Sequence, residues 1–181
     1  MTEFTFTSGI DNFTGPDNTI NNFRILNVSD LTSTDVATGG NSTDFLGLAA
    51  GAYTQAQFAG VSSMESFGFF GGGAIASSAV LTANIGATAS GGRIAITADG
   101  SLTLDGSAIG ASCGLDFYTQ GAMAWIYDIT LGAGDDSFSF NSFGPLAGSQ
   151  FDGGAGSDVM FIGFGAPLGV KIDGNFANIE K

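Results

Sequence analysis

The nine residues Gly153-Gly154-Ala155-Gly156-Ser157-Asp158-Val159-Met160-Phe161 combine a tight turn with the start of a strand. Glycine tolerates positive φ and exposes backbone carbonyls on the inside of such a turn. Asp158 adds a carboxylate, and Met160, two positions later, is the apolar side chain that buries itself in the adjoining strand. Leu131-Gly132-Ala133-Gly134-Asp135-Asp136-Ser137-Phe138-Ser139 repeats the pattern and lacks only its first glycine. Between them, residues 144–152 form a degenerate turn that keeps the apolar Phe151 but has Ser149 in place of the acid. Short strands broken by glycine turns, repeated in this way, imply a chain that coils.

The rest of the sequence agrees. Apolar residues alternate with polar ones in Phe4-Thr5-Phe6-Thr7, Ile94-Ala95-Ile96-Thr97, Leu102-Thr103-Leu104-Asp105 and Phe138-Ser139-Phe140-Asn141. This period of two places one side-chain set in a core and the other in solvent. Turn residues punctuate the runs every 8–12 residues or so. The fold class expected is all-β, a parallel β-solenoid of many short strands with Gly/Asp turns. Only Ala49–Val61 has helical flavour, and a short helix or cap is expected there. Residues 1–130 read as a solenoid of degenerate repeats, and residues 131–181 as the better-formed turns continuing it. A larger repeat is also visible. Gly39-Gly40-Asn41-Ser42-Thr43-Asp44 recurs as Gly153-Gly154-Ala155-Gly156-Ser157-Asp158, and Ser63-Met64-Glu65 recurs as Asn178-Ile179-Glu180. The second copy breaks off at Lys181, as in a truncated chain or one whose sheet another subunit continues.

Charge restricts the partners. Seventeen acidic residues face four basic ones (Arg24, Arg93, Lys171 and Lys181), a net charge of -13 with no histidine. Such a chain repels phosphate backbones and anionic lipid, so neither nucleic acid nor membrane insertion is expected. Seventeen phenylalanines, with Ile, Leu and Val throughout, give enough apolar surface to fold. Cys113 is the single cysteine, so no intramolecular disulfide forms; a small buried side chain is expected. Met1–Phe6 lacks the basic and apolar regions of a classical signal peptide.

Clustered carboxylates and turn carbonyls suit a hard cation, and calcium takes six to eight such oxygens. The pattern G-G-x-G-x-D-x-U-x is the nonapeptide of calcium-binding β-rolls. If alternate turns stack, Asp136 and Asp158 face one ion, with carbonyls of Gly132, Gly134, Gly154 and Gly156. Asp135 is adjacent, and Asp35 and Asp44 mark weaker N-terminal sites. Asp99-Gly100 and Asp105-Gly106 read as ordinary turns in which the acid caps backbone N–H groups.

On these residues the chain resembles bacterial RTX-type proteins, including adhesin-like and S-layer-like surface proteins with hemolysin-type calcium repeats. Phe4-Thr5-Phe6-Thr7-Ser8-Gly9-Ile10-Asp11-Asn12-Phe13-Thr14-Gly15, Ser63-Met64-Glu65-Ser66-Phe67 and Leu102-Thr103-Leu104-Asp105-Gly106-Ser107 with Leu115-Asp116-Phe117 carry the resemblance beyond the nonapeptides. It implies secretion without a cleaved N-terminal signal, an extracellular or cell-surface location, and folding coupled to calcium.

Catalysis is not expected. Without histidine there is neither an H-E-x-x-H zinc site nor a Ser/His or Cys/His pair. Arg93 and Lys171 are the available bases for lyase chemistry and read more simply as solvated strand residues. The function expected is therefore a calcium-stabilised structural or surface protein. The alternatives are a self-assembling, metal-independent subunit of a filament or virion, and a non-catalytic module of a polysaccharide-active enzyme. Self-association or contact with other surface-layer subunits is the partner expected. Trp125, Tyr127 and Tyr118 read as packing residues rather than a sugar platform.

Overall fold

The computed structural model describes residues 1–70, 76–119, 125–140, 148–162 and 174–180. Pro145, Pro167, Lys171, Lys181 and the first part of the degenerate turn at 144–152 lie outside the described residues. The chain coils into a β-solenoid. Successive levels carry β1 (Thr2–Thr5) and β2 (Asn12–Thr14); β3 (Asn21–Ile25) and β4 (Val36–Thr38); then β5 (Phe45–Ala49), β6 (Ala52–Tyr53) and β7 (Val61–Ser62). There follow β8 (Ser66–Phe70) and β9 (Ser77–Val80); β10 (Arg93–Ala98) and β11 (Leu102–Asp105); β12 (Gly114–Thr119) and β13 (Tyr127–Thr130). The last levels carry β14 (Ser137–Phe140) and β15 (Ser149–Asp152), then β16 (Val159–Ile162) and β17 (Gly174–Ala177).

Every described strand pairing is parallel. One eight-stranded sheet runs β1-β3-β5-β8-β10-β12-β14-β16, a six-stranded sheet runs β17-β15-β13-β11-β9-β6, and a three-stranded sheet runs β2-β4-β7. The long sheet continues without a break through residue 131.

Alternation dictates what faces inward. Phe4, Phe23, Leu46, Phe67, Ile96, Phe117, Phe138 and Met160 stand in lateral register across the long sheet. Opposite them stand Tyr53, Ala79, Leu104, Ile129, Phe151 and Phe176. Between the two columns the aromatics interlock: Phe151 meets Phe138, Phe140, Tyr127 and Phe176 at ring-centroid distances of 5.1 to 6.3 Å. Edge-to-face and stacked pairs of this kind add to simple burial. Tyr127 is thus core, and Cys113 is buried.

The short helix or cap expected within Ala49–Val61 is present as one 3-10 turn. Residues 49–61 hold β6, a 3-10 turn at Gln55–Phe58 and the start of β7, whereas the described α-helix is α1, Ala83–Thr88. Phe58 is fully buried from that 3-10 turn. α1 enters where the third sheet stops, against β7. Among the described residues no helix is long and apolar enough to cross a membrane.

Candidate functional site

Two residues before the inward column of the long sheet, on the same face of the pleat, stands a second column. Its members are Asn21, Asp44, Glu65, Ile94, Leu115, Asp136 and Asp158, and Glu180 stands one coil beyond Asp158. Ile94 and Leu115 are apolar and paired. The acids are tied to the preceding level through its backbone. Asn21 N–H donates to Asp44 Oδ1 at 2.7 Å, and Asp44 N–H donates to Glu65 Oε2 at 2.8 Å. Leu115 N–H donates to Asp136 Oδ1 at 2.6 Å, Asp136 N–H to Asp158 Oδ1 at 2.8 Å, and Asp158 N–H to Glu180 Oε2 at 2.6 Å. Each carboxylate therefore clamps one coil to the next.

The other oxygen closes the acid's own turn. Gly40 N–H donates to Asp44 Oδ2 at 2.5 Å and Gly132 N–H to Asp136 Oδ2 at 2.9 Å, both four residues back. Asp35 does the same beside the third sheet: its Oδ1 accepts from Asp11 N–H at 2.9 Å and its Oδ2 from Thr32 N–H at 2.6 Å. Glu65 Oε1 accepts from Ser90 N–H at 2.6 Å. A buried carboxylate holding two charge-assisted amide bonds is satisfied without an ion.

Asp158 departs from this rule. The N–H of Gly154, which should close its turn, donates instead to Asp152 Oδ1 at 3.0 Å. Asp158 is buried, and its Oδ2 has no hydrogen-bond partner. The internal repeat shows what differs. Gly39 and Gly153 occupy equivalent corners: a Cβ on either would collide with the carbonyl oxygen of Ser63 or Asn178, respectively. Ser63 and Asn178 share the left-handed backbone, at φ 53° and 52°. Glu65 and Glu180 accept the N–H of Asp44 and Asp158 alike. Before the glycine pair, however, the first copy has Thr38 and the second has Asp152. With Gly154 at φ 88°, its N–H goes to that carboxylate, and Asp158 Oδ2 is left without it.

Electrostatics sharpen the contrast. Burial pushes the Asp158 carboxyl up, and Glu180, Asp135 and Asp152 push it in the same direction, against the bond from Asp136 N–H. Burial raises Asp136 to about 7, with Asp158 adding to the effect and its two amide bonds opposing it. Asp135 is exposed and accepts from Ser157 N–H at 2.9 Å. Although burial works the other way, hydrogen bonds from Arg93 and Ser137 hold Asp116 below the usual carboxylate range. Arg93, read from sequence as a solvated strand residue, is exposed but committed. Its Nε donates to Asp116 Oδ2 at 2.8 Å, its Nη2 pairs with Asp116 Oδ1, and its Nη1 donates to the Asp135 carbonyl at 3.1 Å.

The turns at 131–136 and 153–158 stack directly, so Asp136 and Asp158 are neighbours. The Gly132 carbonyl accepts the Ala155 N–H at 3.1 Å, and the Gly132 and Gly134 carbonyls face Gly154 and Gly156 along the stack. Gly154 at φ 88° and Gly156 at φ 132° make that approach possible. Asp35 and Asp44 belong to two early levels, away from Asp136 and Asp158. Among the described residues no three acidic side chains converge closely enough to hold a metal by themselves. Asp105 closes its own corner, taking the Ser107 N–H at 3.0 Å. The role of Glu65 and Glu180 was missed from sequence, although the repeat that contains them was visible.

A scan against protein-family models and searches of curated proteins and of solved structures found no match to this chain.

Proposed function

We propose that the chain is a non-catalytic structural solenoid of an extracellular or cell-surface protein, stabilised by calcium at the Asp158 corner. The observation that carries this reading is the orphaned Asp158 Oδ2, buried among like charges. An unpartnered buried carboxylate oxygen is costly, and a hard cation would relieve both the desolvation and the repulsion. Asp158 would be the principal ligand, with Asp152 and turn carbonyls completing an all-oxygen set. Calcium there would hold the turn closed in place of the diverted Gly154 N–H. Extracellular calcium modules work at about 10⁻⁴–10⁻³ M, and one deep carboxylate with mostly neutral partners suits that range.

A second reading, a metal-independent structural subunit, is favoured by Asp35, Asp44, Asp136 and Glu65, whose oxygens are already satisfied by amides. Calorimetric titration of calcium into chelator-treated protein separates the two. The proposal expects saturable binding that Asp158→Asn abolishes and Asp44→Asn leaves intact. Asp152→Thr, which copies Thr38 of the first repeat, returns Gly154 N–H to Asp158 and weakens binding at least tenfold. A folded protein that takes up no calcium supports the second reading.

A further inference from the structure

The outward face of the long sheet carries a groove of about 450 Å³ lined by Asn22, Arg24, Phe45, Gly47, Ala49 and Phe70, among others. That volume lies within the range of small-ligand sites, about 300–1,000 Å³. Lateral register explains its shape. Arg24 stands beside Gly47, and Gly47 beside Gly68, in one row across β3, β5 and β8. Phe45 rises two residues before that row and Phe70 two residues after it. Two outward-facing glycines side by side make room for the rings, and the groove runs beside them from Gly47 towards Arg24. The Phe45 and Phe70 rings lean over Gly68 with their centroids 5.8 Å apart, and Phe70 remains 40 % exposed. The row spans two interstrand steps, about 10 Å.

One end of this aromatic trough is cationic. Of the two arginines, Arg93 is spent on Asp116, whereas the Arg24 guanidinium is exposed and has no hydrogen bond or ion pair among the described residues. On a chain of net charge -13 an anion is repelled almost everywhere, so a free guanidinium selects where one docks. Guanidinium pairs with carboxylate through two parallel hydrogen bonds. Asn22, on the same lining, has its side-chain oxygen buried and donates its amide to Glu3 Oε1 at 3.4 Å on the neighbouring strand. A ligand that uses Arg24 and the two rings has a carboxylate and a flat apolar ring face.

We infer that this groove binds an acidic oligosaccharide, with a uronate carboxylate on Arg24 and sugar ring faces on Phe45 and Phe70. The inference stands apart from the calcium proposal, because no residue is shared between the two sites. Aromatic cover over strand glycines also serves folding, since edge and strand glycines are often shielded by a neighbouring ring. The test distinguishes the two roles.

Tri-galacturonate is titrated into the intact protein in the presence of chelator, so that calcium cannot bridge acid to acid. Neutral galactose trimer and benzoate are run beside it. The inference expects saturable binding of the uronate that falls at least tenfold in Arg24→Gln, falls less in Arg24→Lys, and is several-fold weaker in Phe70→Leu. Phe70→Leu keeps an apolar cover over Gly68, and an unchanged melting curve shows that the fold is retained. Three results would overturn the inference: no saturable uronate binding, uronate affinity indifferent to Arg24→Gln, or benzoate binding as tightly as the uronate with the same dependence on Arg24.

Discussion

The smallest unit of this fold is an aspartate four residues after a glycine N–H and two before an inward apolar side chain. The first spacing closes a turn, and the second puts the carboxylate on the core side of the pleat, where the preceding coil's amide meets it. Burying that charge has a titration consequence. Because burial raises Asp136 to about 7, the folded protein holds this proton more tightly than the unfolded chain does. The contribution is fully present below about pH 4 and is lost as pH rises to about 7. In chelated protein the denaturant midpoint therefore falls across that window, and Asp136→Asn flattens the slope at a stability cost of about 1–3 kcal/mol. The glycine preceding the acid is constrained differently. A Cβ on Gly154 meets the Gly132 carbonyl at φ 88°, whereas one on Gly91, at φ 74°, meets nothing within 4 Å. Gly91→Ala should cost about 1–2 kcal/mol from backbone handedness alone. Gly154→Ala should cost distinctly more, as measured by equilibrium unfolding, because coil-to-coil contact is lost as well.

At the scale of strands, the alternation in Ile94–Thr97, Leu102–Asp105 and Phe138–Asn141 was sufficient to assign the faces, because a period of two has one inward solution once a core exists. The stacking of 131–136 on 153–158 was equally readable from the repeat. The destination of the carboxylates was not. An acid in a glycine turn looks the same in sequence whether its oxygens meet a cation or backbone amides, and only the neighbouring coil decides. Asp152 shows the limit: it stands in the place of Thr38, in a turn whose glycines take a different backbone, and a different oxygen is left over. Within 49–61 the expected short helix is a single 3-10 turn, and the rest is strand, so that Phe58 reaches the core from the turn and Val61 from a two-residue strand. Strand packing itself depends on the aromatic stack. Phe151 touches rings from its own coil and both neighbours, so Phe151→Ala should cost about 3–5 kcal/mol, read from the shift in chemical unfolding.

Across the whole molecule, coils contact chiefly their sequence neighbours, so stability is close to a sum of coil and interface contributions. The column of carboxylates is interrupted by Ile94 and Leu115, which leaves an N-terminal clamp group of Asp44 and Glu65 and a C-terminal group of Asp136, Asp158 and Glu180. The two groups differ in their chemistry: amides satisfy the first, and the second retains an unpartnered oxygen amid like charges. A cation that binds the second group acts against the same desolvation that makes the fold weaken as pH rises. The measurement that tests this account most directly is the thermal midpoint of chelated protein at about pH 5 and about pH 7.5, with and without calcium. The account predicts a lower midpoint at the higher pH without calcium, and a rise of about 5–10 °C there when calcium reaches a hundredfold excess over its Kd. The rise should be smaller at the lower pH, where protons compete, and absent in Asp158→Asn. A midpoint indifferent to calcium at both pH values, or a calcium response that survives Asp158→Asn, would contradict it.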